Sequence, residues 1–273
     1  MESRSAGRTT TGARIRTGTR TRLEERVAKE RGRPRTSTVL WEGVQRLLAA
    51  ASADLGTDEL TVVDLGGGTG GLAVRVAALG HRVVVVDPSP DALAALERRT
   101  AEAGLSDRVR PLQGDATELS ALLAPGSVDV LLCHGVLEVV DDPAAALRAA
   151  HEALRPGGRL SLLVAQWPAS VLARALAGQL AQALHVLSTE EHRWGPSDPL
   201  CRRFDRAGAT ALAEQGGFTV TAVEGTRTFS DVVPSAVTES DDALALLREL
   251  ESRAAGTEEL LGLAGHLHLH ATR

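Results

Sequence analysis

Short apolar runs alternate with longer amphipathic stretches through the first 165 residues. The apolar runs predict five strands: Leu60–Leu65, Arg82–Asp87, Arg108–Gln113, Val128–Cys133 and Arg159–Ala165. Apolar residues at helical spacing predict helices between them: Gly70–Leu79, Pro90–Ala103 and Pro143–Leu154. Strands that are apolar on both faces and separated by helices predict a parallel sheet that is covered on both sides.

The pattern changes after Gln166. We expect a helical insertion that caps the sheet over about 166–204, with one long helix at Pro168–Leu187 and an irregular polar segment at Ser188–Arg203. The remaining elements are a helix at Arg206–Gln215, a strand at Phe218–Glu224, a helix at Asp241–Arg253 and a half-buried or edge strand at His266–Thr272. The chain therefore predicts a Rossmann-like, doubly wound α/β fold. Its seven-stranded sheet should be mostly parallel, with an antiparallel C-terminal edge.

The N-terminal segment differs from the rest of the chain in charge. Residues 1–35 contain eleven Arg or Lys and four Glu, whereas the whole chain has a net charge of −5. We expect residues 1–34 to form a flexible basic arm and residues 35–273 to form the domain, with a helix that begins near Thr36. Two interpretations of the arm stay open: a solvated tail, or a contact for nucleic acid or another polyanion.

Composition excludes several classes of protein. Aromatic residues make up only 2% of the chain, so its core must be packed by Leu, Val and Ala. Cys133 and Cys201 are far apart, which argues against a disulfide framework or a zinc site. The sequence has no apolar run long enough to span a membrane and no apolar stretch typical of a secretory signal. We therefore expect a cytoplasmic protein.

Three histidines share one face of the last predicted strand: His266, His268 and His270. Imidazoles at this spacing are conceivable metal ligands, but the sequence shows no partner ligand for them. The face of an edge strand is the simpler interpretation, and we expect no metal site.

A glycine-rich turn, Asp64-Leu65-Gly66-Gly67-Gly68-Thr69-Gly70-Gly71, follows the first strand and opens a helix. Glycines let a ligand lie against bare backbone, and the helix that follows presents free N–H groups. The spacing alone leaves two alternatives. Gly66, Gly68 and Gly70 give the G-x-G-x-G of methyltransferases, whereas Gly66, Gly68 and Gly71 give the G-x-G-x-x-G of dinucleotide binders.

Acidic residues beside this turn favour a nucleoside that carries an ammonium group. Asp64 precedes the first glycine by two residues, where a carboxylate can meet a ligand ammonium, usually through water. Asp87 ends the second strand and can accept hydrogen bonds from both ribose hydroxyls, whether the ligand is a methyltransferase's nucleoside or a dinucleotide. Asp115 follows the third strand, where it can accept from an adenine amino group or can cap a helix that begins at Ala116.

His134 comes directly after the fourth strand. In a doubly wound sheet the ligand crevice lies beyond the carboxyl ends of the strands, so we expect this side chain beside the cofactor. The alternative is a structural histidine whose hydrogen bonds are satisfied within the protein.

Four segments together resemble the class I S-adenosylmethionine-dependent methyltransferases: VVDLGGGTGG, VVVVDPS, GDA and VLEVVDDPAAALRAAHEALRPGGRLSL. This resemblance covers about 40–170 and implies methyl transfer from S-adenosylmethionine. The VLW near Trp41, RTFSD at 227–231, LLRELESR at 246–253 and GHLHLHATR at the end are similar to the tRNA 5-carboxymethoxyuridine methyltransferase group. That group methylates the carboxylate of a modified wobble uridine. The segment Ser188–Gly195 departs from the group because it lacks lysine.

The resemblance also implies a cofactor site. Its residues are Arg35, Asp64, Gly66, Gly67, Gly68, Asp87, Pro88, Asp115, Ala116, Thr117 and His134. Asp87 would hold the ribose, Ala116 and Thr117 would line the adenine, and His134 would lie near the methionine part. Arg35 would approach the cofactor carboxylate.

The methyl acceptor should lie between the N-terminal helix, the insertion and the loop at 226–235. His134, Arg203 and Arg227 are candidates for positioning it, because Arg can hold a carboxylate through two hydrogen bonds. No residue stands out as a general base, which is consistent with an acceptor that is already ionised. Several alternatives stay open: a tRNA or a small carboxylate or hydroxyl substrate, an O- or N-methyltransferase of small molecules, an NAD-binding oxidoreductase, and a non-catalytic cofactor-binding protein.

Overall fold

The computed structural model describes residues 38–273, so the basic arm and Arg35 lie outside the described residues. The strands are β1 (Thr61–Leu65), β2 (Arg82–Asp87), β3 (Val109–Gln113), β4 (Val128–His134), β5 (Leu154–Ala165), β6 (Thr219–Thr226) and β7 (His266–Thr272). The helices are α1 (Thr38–Leu55), α2 (Gly71–Ala78), α3 (Pro90–Glu102), α4 (Leu119–Leu122), α5 (Pro143–Ala153), α6 (Trp167–Leu176), α7 (Leu180–Ser188), α8 (Arg206–Gln215), α9 (Asp241–Ala254) and α10 (Glu258–Leu261).

The strands form one sheet in the order β3-β2-β1-β4-β5-β7-β6. Strands β1 to β5 are parallel, and β7 is antiparallel to both β5 and β6. This topology confirms the mostly parallel sheet with antiparallel C-terminal strands. The strand order reverses between β1 and β4, which places the ligand crevice at the carboxyl ends of these two strands.

Side chains alternate between the two faces of the sheet, and each face has its own apolar layer. Val62 and Leu132 belong to the layer that packs under α1, α2 and α3. Val63 and Leu131 belong to the opposite layer, under α5 and α8. Leu, Val and Ala dominate both layers, as the composition requires.

The structure corrects three details of the sequence-based assignment. The helix predicted over Pro168–Leu187 is two helices, because Gly178 adopts a left-handed φ of 73° between α6 and α7. Strand β5 begins at Leu154, which pairs with Val128. The expected edge position of β7 is wrong: β6 covers its outer side, and His268 is completely buried.

No helix within residues 38–273 is both long and apolar enough to cross a membrane.

A buried carboxylate on α9 holds the segment that follows β6. Glu251 accepts hydrogen bonds from the backbone N–H groups of Thr228, Phe229 and Ser230 at 2.9, 3.0 and 2.7 Å. It also accepts from the hydroxyl of Ser230 at 2.6 Å. One side chain therefore satisfies four donors and ties this segment to α9.

We expect Glu251→Ala to lower the free energy of unfolding by about 2–4 kcal/mol, because it leaves buried donors without an acceptor. The matched control is Glu249→Ala on the same helix, which removes only an exposed pair with Arg253 and should cost at most about 0.5 kcal/mol. Urea unfolding followed by circular dichroism measures both. Equal stability of the two variants would contradict this role for Glu251.

Candidate active site

The glycine turn after β1 has a backbone shape that side chains would not permit. Gly66 and Gly68 have left-handed φ values of 68° and 57°. A Cβ on Gly66 would lie 2.6 Å from Cγ2 of Val136, and the Gly66 N–H donates to the Val86 carbonyl at 2.7 Å. The turn is thus held closely between the end of β2 and the loop after β4, where the crevice is expected.

Asp87 lies directly beneath this turn. It is 1% exposed, and its carboxylate accepts hydrogen bonds from the backbone N–H groups of Gly68 and Ser89, each at 2.9 Å. Each carboxylate oxygen has a further lone pair, so this acid can also accept from sugar hydroxyls. The structure therefore places Asp87 at the end of β2 against the glycine turn, as the sequence predicted.

Asp64 is the second buried acid under the turn. A Cβ on Gly67 would lie 2.6 Å from its carboxylate. Burial, and secondly the charge of Asp87, raise the pKa of Asp64 to about 7. Its Oδ2 has no hydrogen-bond partner among the described residues. A ligand ammonium, directly or through water, would supply a partner for this oxygen and favour the ionised form.

The segment after β3 combines a cap with a shallow depression. Asp115 accepts from the backbone N–H of Thr117 at 3.0 Å, and Glu118 accepts from the N–H of Asp115 at 3.1 Å, so the capping interpretation is confirmed. The adenine role of Asp115 stays a prediction. A depression of about 300 Å³ lies here, and its lining residues are Pro88, Gln113, Gly114, Asp115 and Glu118. Ala116 is buried beside it, and Thr117 is exposed.

His134, at the end of β4, joins a hydrogen-bonded chain within the sheet. Its Nε2 lies 2.8 Å from Oγ of Ser161, and the same Oγ lies 2.6 Å from Nε2 of His268. Two arrangements of protons satisfy both contacts, because the serine hydroxyl can donate to either histidine while it accepts from the other. Ser161 was not predicted as a site residue, although a serine inside the apolar run of β5 is itself a sign of a buried polar partner.

The two candidate positioning arginines each pair with an aspartate. The side chain of Arg203 is 8% exposed, and two of its nitrogens contact the Asp198 carboxylate at 2.6 and 3.1 Å. Arg227 follows β6 and pairs with Asp231. Because β6 is four strands from β1, Arg227 lies about 19 Å along the sheet from the turn. Both pairs order loops at the carboxyl edge, and contact of either arginine with an acceptor stays a prediction.

The crevice thus has parts that fit the three portions of a nucleoside with an amino-acid tail. The depression beside Asp115 can take a flat base, and Asp87 can accept from a sugar. Asp64 offers a buried oxygen for an ammonium. The N-terminus of α2 adds backbone N–H groups that favour negative charge. These residues fit S-adenosylmethionine, whose ammonium is the feature that a dinucleotide lacks.

Comparison with known sequences agrees with this assignment. Residues 63–162 match the sequence family described as a methyltransferase domain. The tRNA 5-carboxymethoxyuridine methyltransferase of Escherichia coli K12 is 29% identical over 86% of this chain and 87% of its own length. The ubiquinone biosynthesis O-methyltransferase of Xanthomonas euvesicatoria is 34% identical over 43% of this chain and 48% of its own length.

Comparison with solved structures supports the fold. The 1,6-didemethyltoxoflavin-N1-methyltransferase of Burkholderia thailandensis has a TM-score of 0.54 and 20% identity, covering 98% of this chain and 93% of that one. An S-adenosylmethionine-dependent methyltransferase from Mesorhizobium loti has a TM-score of 0.55 and 20% identity, covering 83% and 95%.

We expect Asp87→Ala to weaken S-adenosylhomocysteine binding by at least about 1–3 kcal/mol, because acceptors for two ribose hydroxyls are lost. Isothermal titration calorimetry measures the change, and circular dichroism checks that the variant is folded. The matched control is Asp107→Ala, which removes an exposed acid at a distance from the turn. Unchanged affinity in Asp87→Ala would contradict the site.

Asp64 should make stability depend on pH. Its pKa is about 7 in the folded protein and 3.8 in the unfolded chain, so the folded state holds more protons between these values. The contribution of Asp64 to stability is therefore full below about pH 3.8 and is lost as the pH rises through about 7. An asparagine at this position does not titrate, so Asp64→Asn does not lose stability in this way. Between about pH 5 and about pH 8, the Tm of the wild type should therefore fall relative to the Tm of the variant. A difference that does not vary with pH would show that Asp64 titrates normally.

Proposed function

Because this chain is an S-adenosylmethionine-dependent methyltransferase, we propose that it methylates the carboxylate of 5-carboxymethoxyuridine in tRNA, in the cytoplasm. The observation that carries the proposal is the extent of the sequence match. The tRNA enzyme is similar over 86% of this chain, whereas the ubiquinone enzyme is similar over 43%. The longer match extends well beyond residues 63–162, the part that matches the methyltransferase domain, and we expect segments outside that domain to form the acceptor site.

A carboxylate acceptor suits the chemistry of the crevice. S-adenosylmethionine supplies a methyl group on a sulfonium, a leaving group already activated by its charge. A carboxylate is ionised at neutral pH, so the protein has only to align the two reactants and exclude water.

Two acids near the crevice, Glu138 and Asp142, have structural partners. Glu138 is buried and accepts the N–H of Ala165 at 2.7 Å. Asp142 caps α5 by accepting the N–H of Ala145 at 2.8 Å. A hydroxyl or amine acceptor would need a base to remove its proton, and these acids are already engaged.

The contacts of the insertion support a role in covering the acceptor. Its return segment lies along the carboxyl edge of the sheet, since the N–H of Phe204 donates to the Ala165 carbonyl at 3.0 Å and that of Cys201 to the Glu138 carbonyl at 2.8 Å. Trp167, at the start of α6, stacks on His192 with ring centroids 4.6 Å apart. This aromatic pair offers a flat surface over the edge on which a base can stack.

A small-molecule carboxylate or hydroxyl is the second candidate acceptor. The ubiquinone O-methyltransferases among the relatives favour it. So does the charge of Ser188–Gly195, which has two Glu and one Arg where a tRNA backbone would call for net positive charge.

The test is a mass-spectrometric comparison of tRNA nucleosides from cells with and without the gene. We expect deletion to remove the methyl ester of 5-carboxymethoxyuridine and to leave the free acid in its place. Wild-type protein and Asp107→Ala should restore the ester, and Asp87→Ala should not. An unchanged nucleoside profile on deletion would reject the tRNA acceptor and direct attention to small carboxylates and hydroxyls.

A further inference from the structure

Three potential metal ligands meet on the antiparallel half of the sheet, on the face that α1 covers. Glu224 is on β6, and His268 and His270 are on β7, where Glu224 pairs with His268 across the two strands. Each residue offers one donor atom, and the three atoms lie within 4.8 Å of one another. Glu224 Oε2 is 3.9 Å from His268 Nδ1 and 3.5 Å from His270 Nε2.

None of these three atoms has a hydrogen-bond partner among the described residues, although all three are buried. The distances between them are too long for good hydrogen bonds. A buried polar atom without a partner is costly, and three that face one another point to a ligand that satisfies them together.

The other atoms of the same side chains are held in place. His268 Nε2 contacts Ser161 at 2.6 Å, and Glu224 Oε1 pairs with Arg46. Metal-binding histidines usually place the second ring nitrogen in such a hydrogen bond, which fixes the tautomer and the ring orientation.

A glycine keeps the space beside these donors open. A Cβ on Gly43 of α1 would lie 2.8 Å from His268 Nδ1 and 3.0 Å from Glu224 Oε2. Any side chain at this position would occupy the space next to both donor atoms.

We propose that Glu224, His268 and His270 bind a zinc ion that links β6 and β7 beneath α1. Two imidazoles and one carboxylate are a set that zinc accepts, with water as a fourth ligand. Tetrahedral ligands at about 2.0–2.1 Å from the ion lie about 3.3–3.4 Å apart. Glu224 Oε2 is close to that separation from both histidines, at 3.9 and 3.5 Å. The two histidine nitrogens lie within 4.8 Å of each other and would move closer together on binding the ion. The sequence predicted no metal because the histidines lacked a partner ligand, and Glu224 supplies it.

The test uses full-length protein without an affinity tag, loaded with zinc and then dialysed. Elemental mass spectrometry gives the zinc content, and competition with a chromophoric chelator gives the affinity. We expect close to one zinc per chain, and a loss of affinity of at least about 100-fold in His270→Ala and in Glu224→Gln, since even the residues that support ligands contribute about 10–100-fold. His185→Ala, which removes an exposed histidine from α7, should bind zinc like the wild type.

Two further readouts keep the result independent of folding and of methyl transfer. The partly exposed ligands Glu224 and His270 are varied first, because fully buried His268 also supports packing. Cobalt substitution should give the visible absorption of a four-coordinate ion in the wild type and in His185→Ala, but not in the ligand variants. Zinc should also raise Tm only where the site is intact. Absence of zinc from the wild type, or equal zinc content and affinity in the wild type and both ligand variants, would overturn the proposal, whatever the methyl acceptor.

Discussion

Two carboxylates buried beneath a glycine turn are the constraint on which the rest of this structure depends. Asp64 is the penultimate residue of β1 and Asp87 is the last residue of β2, and they lie under Gly67 and Gly68. Their burial, and secondly their mutual repulsion, are unfavourable in the protein alone, and the raised pKa of Asp64 expresses that cost. A ligand that brings an ammonium to Asp64 and a sugar diol to Asp87 offsets both the repulsion and the cost of burial. This explains why a protein would keep two acids here.

The sheet divides into halves with different tasks. The parallel half, from β3 to β4, places its carboxyl ends in one crevice and packs apolar layers on both faces. The antiparallel half carries polar side chains on the face beneath α1, and Ser161 connects them to His134 at the edge of the crevice. The orientation of His134 is thus set by residues well away from the cofactor. A zinc ion at His268 would fix the far end of this series of hydrogen bonds from His268 through Ser161 to His134.

Much of the fold could be predicted because buried parallel strands are apolar on both sides. Such runs stand out from the helices that separate them, and both predicted ends of β2, Arg82 and Asp87, agree with the structure. The antiparallel strands were harder, since alternation does not tell an inner strand from an edge strand, and β7 was misplaced for that reason. The break at Gly178 was missed because strong helix formers surround it.

The residues of the site also differ in how far they could be predicted from the sequence. The positions of Asp87 and the glycines beside one another could be predicted because each is fixed by the local chain relative to a strand end; their contact with the cofactor stays a prediction. Glu224 and Ser161 could not be predicted, because their partners depend on the register between strands that are far apart in sequence. Asp115 shows the limit for a single residue: the same side chain caps a helix and lines a depression, and sequence alone does not separate these roles.

The most direct test of the account is a crystal structure of the protein with S-adenosylhomocysteine. We expect both ribose hydroxyls within hydrogen-bonding distance of the Asp87 carboxylate, the adenine against the segment from Asp115 to Thr117, and the ammonium near Asp64. A complex in which Asp87 stays covered by the turn, or in which the ligand lies elsewhere on the sheet edge, would contradict it.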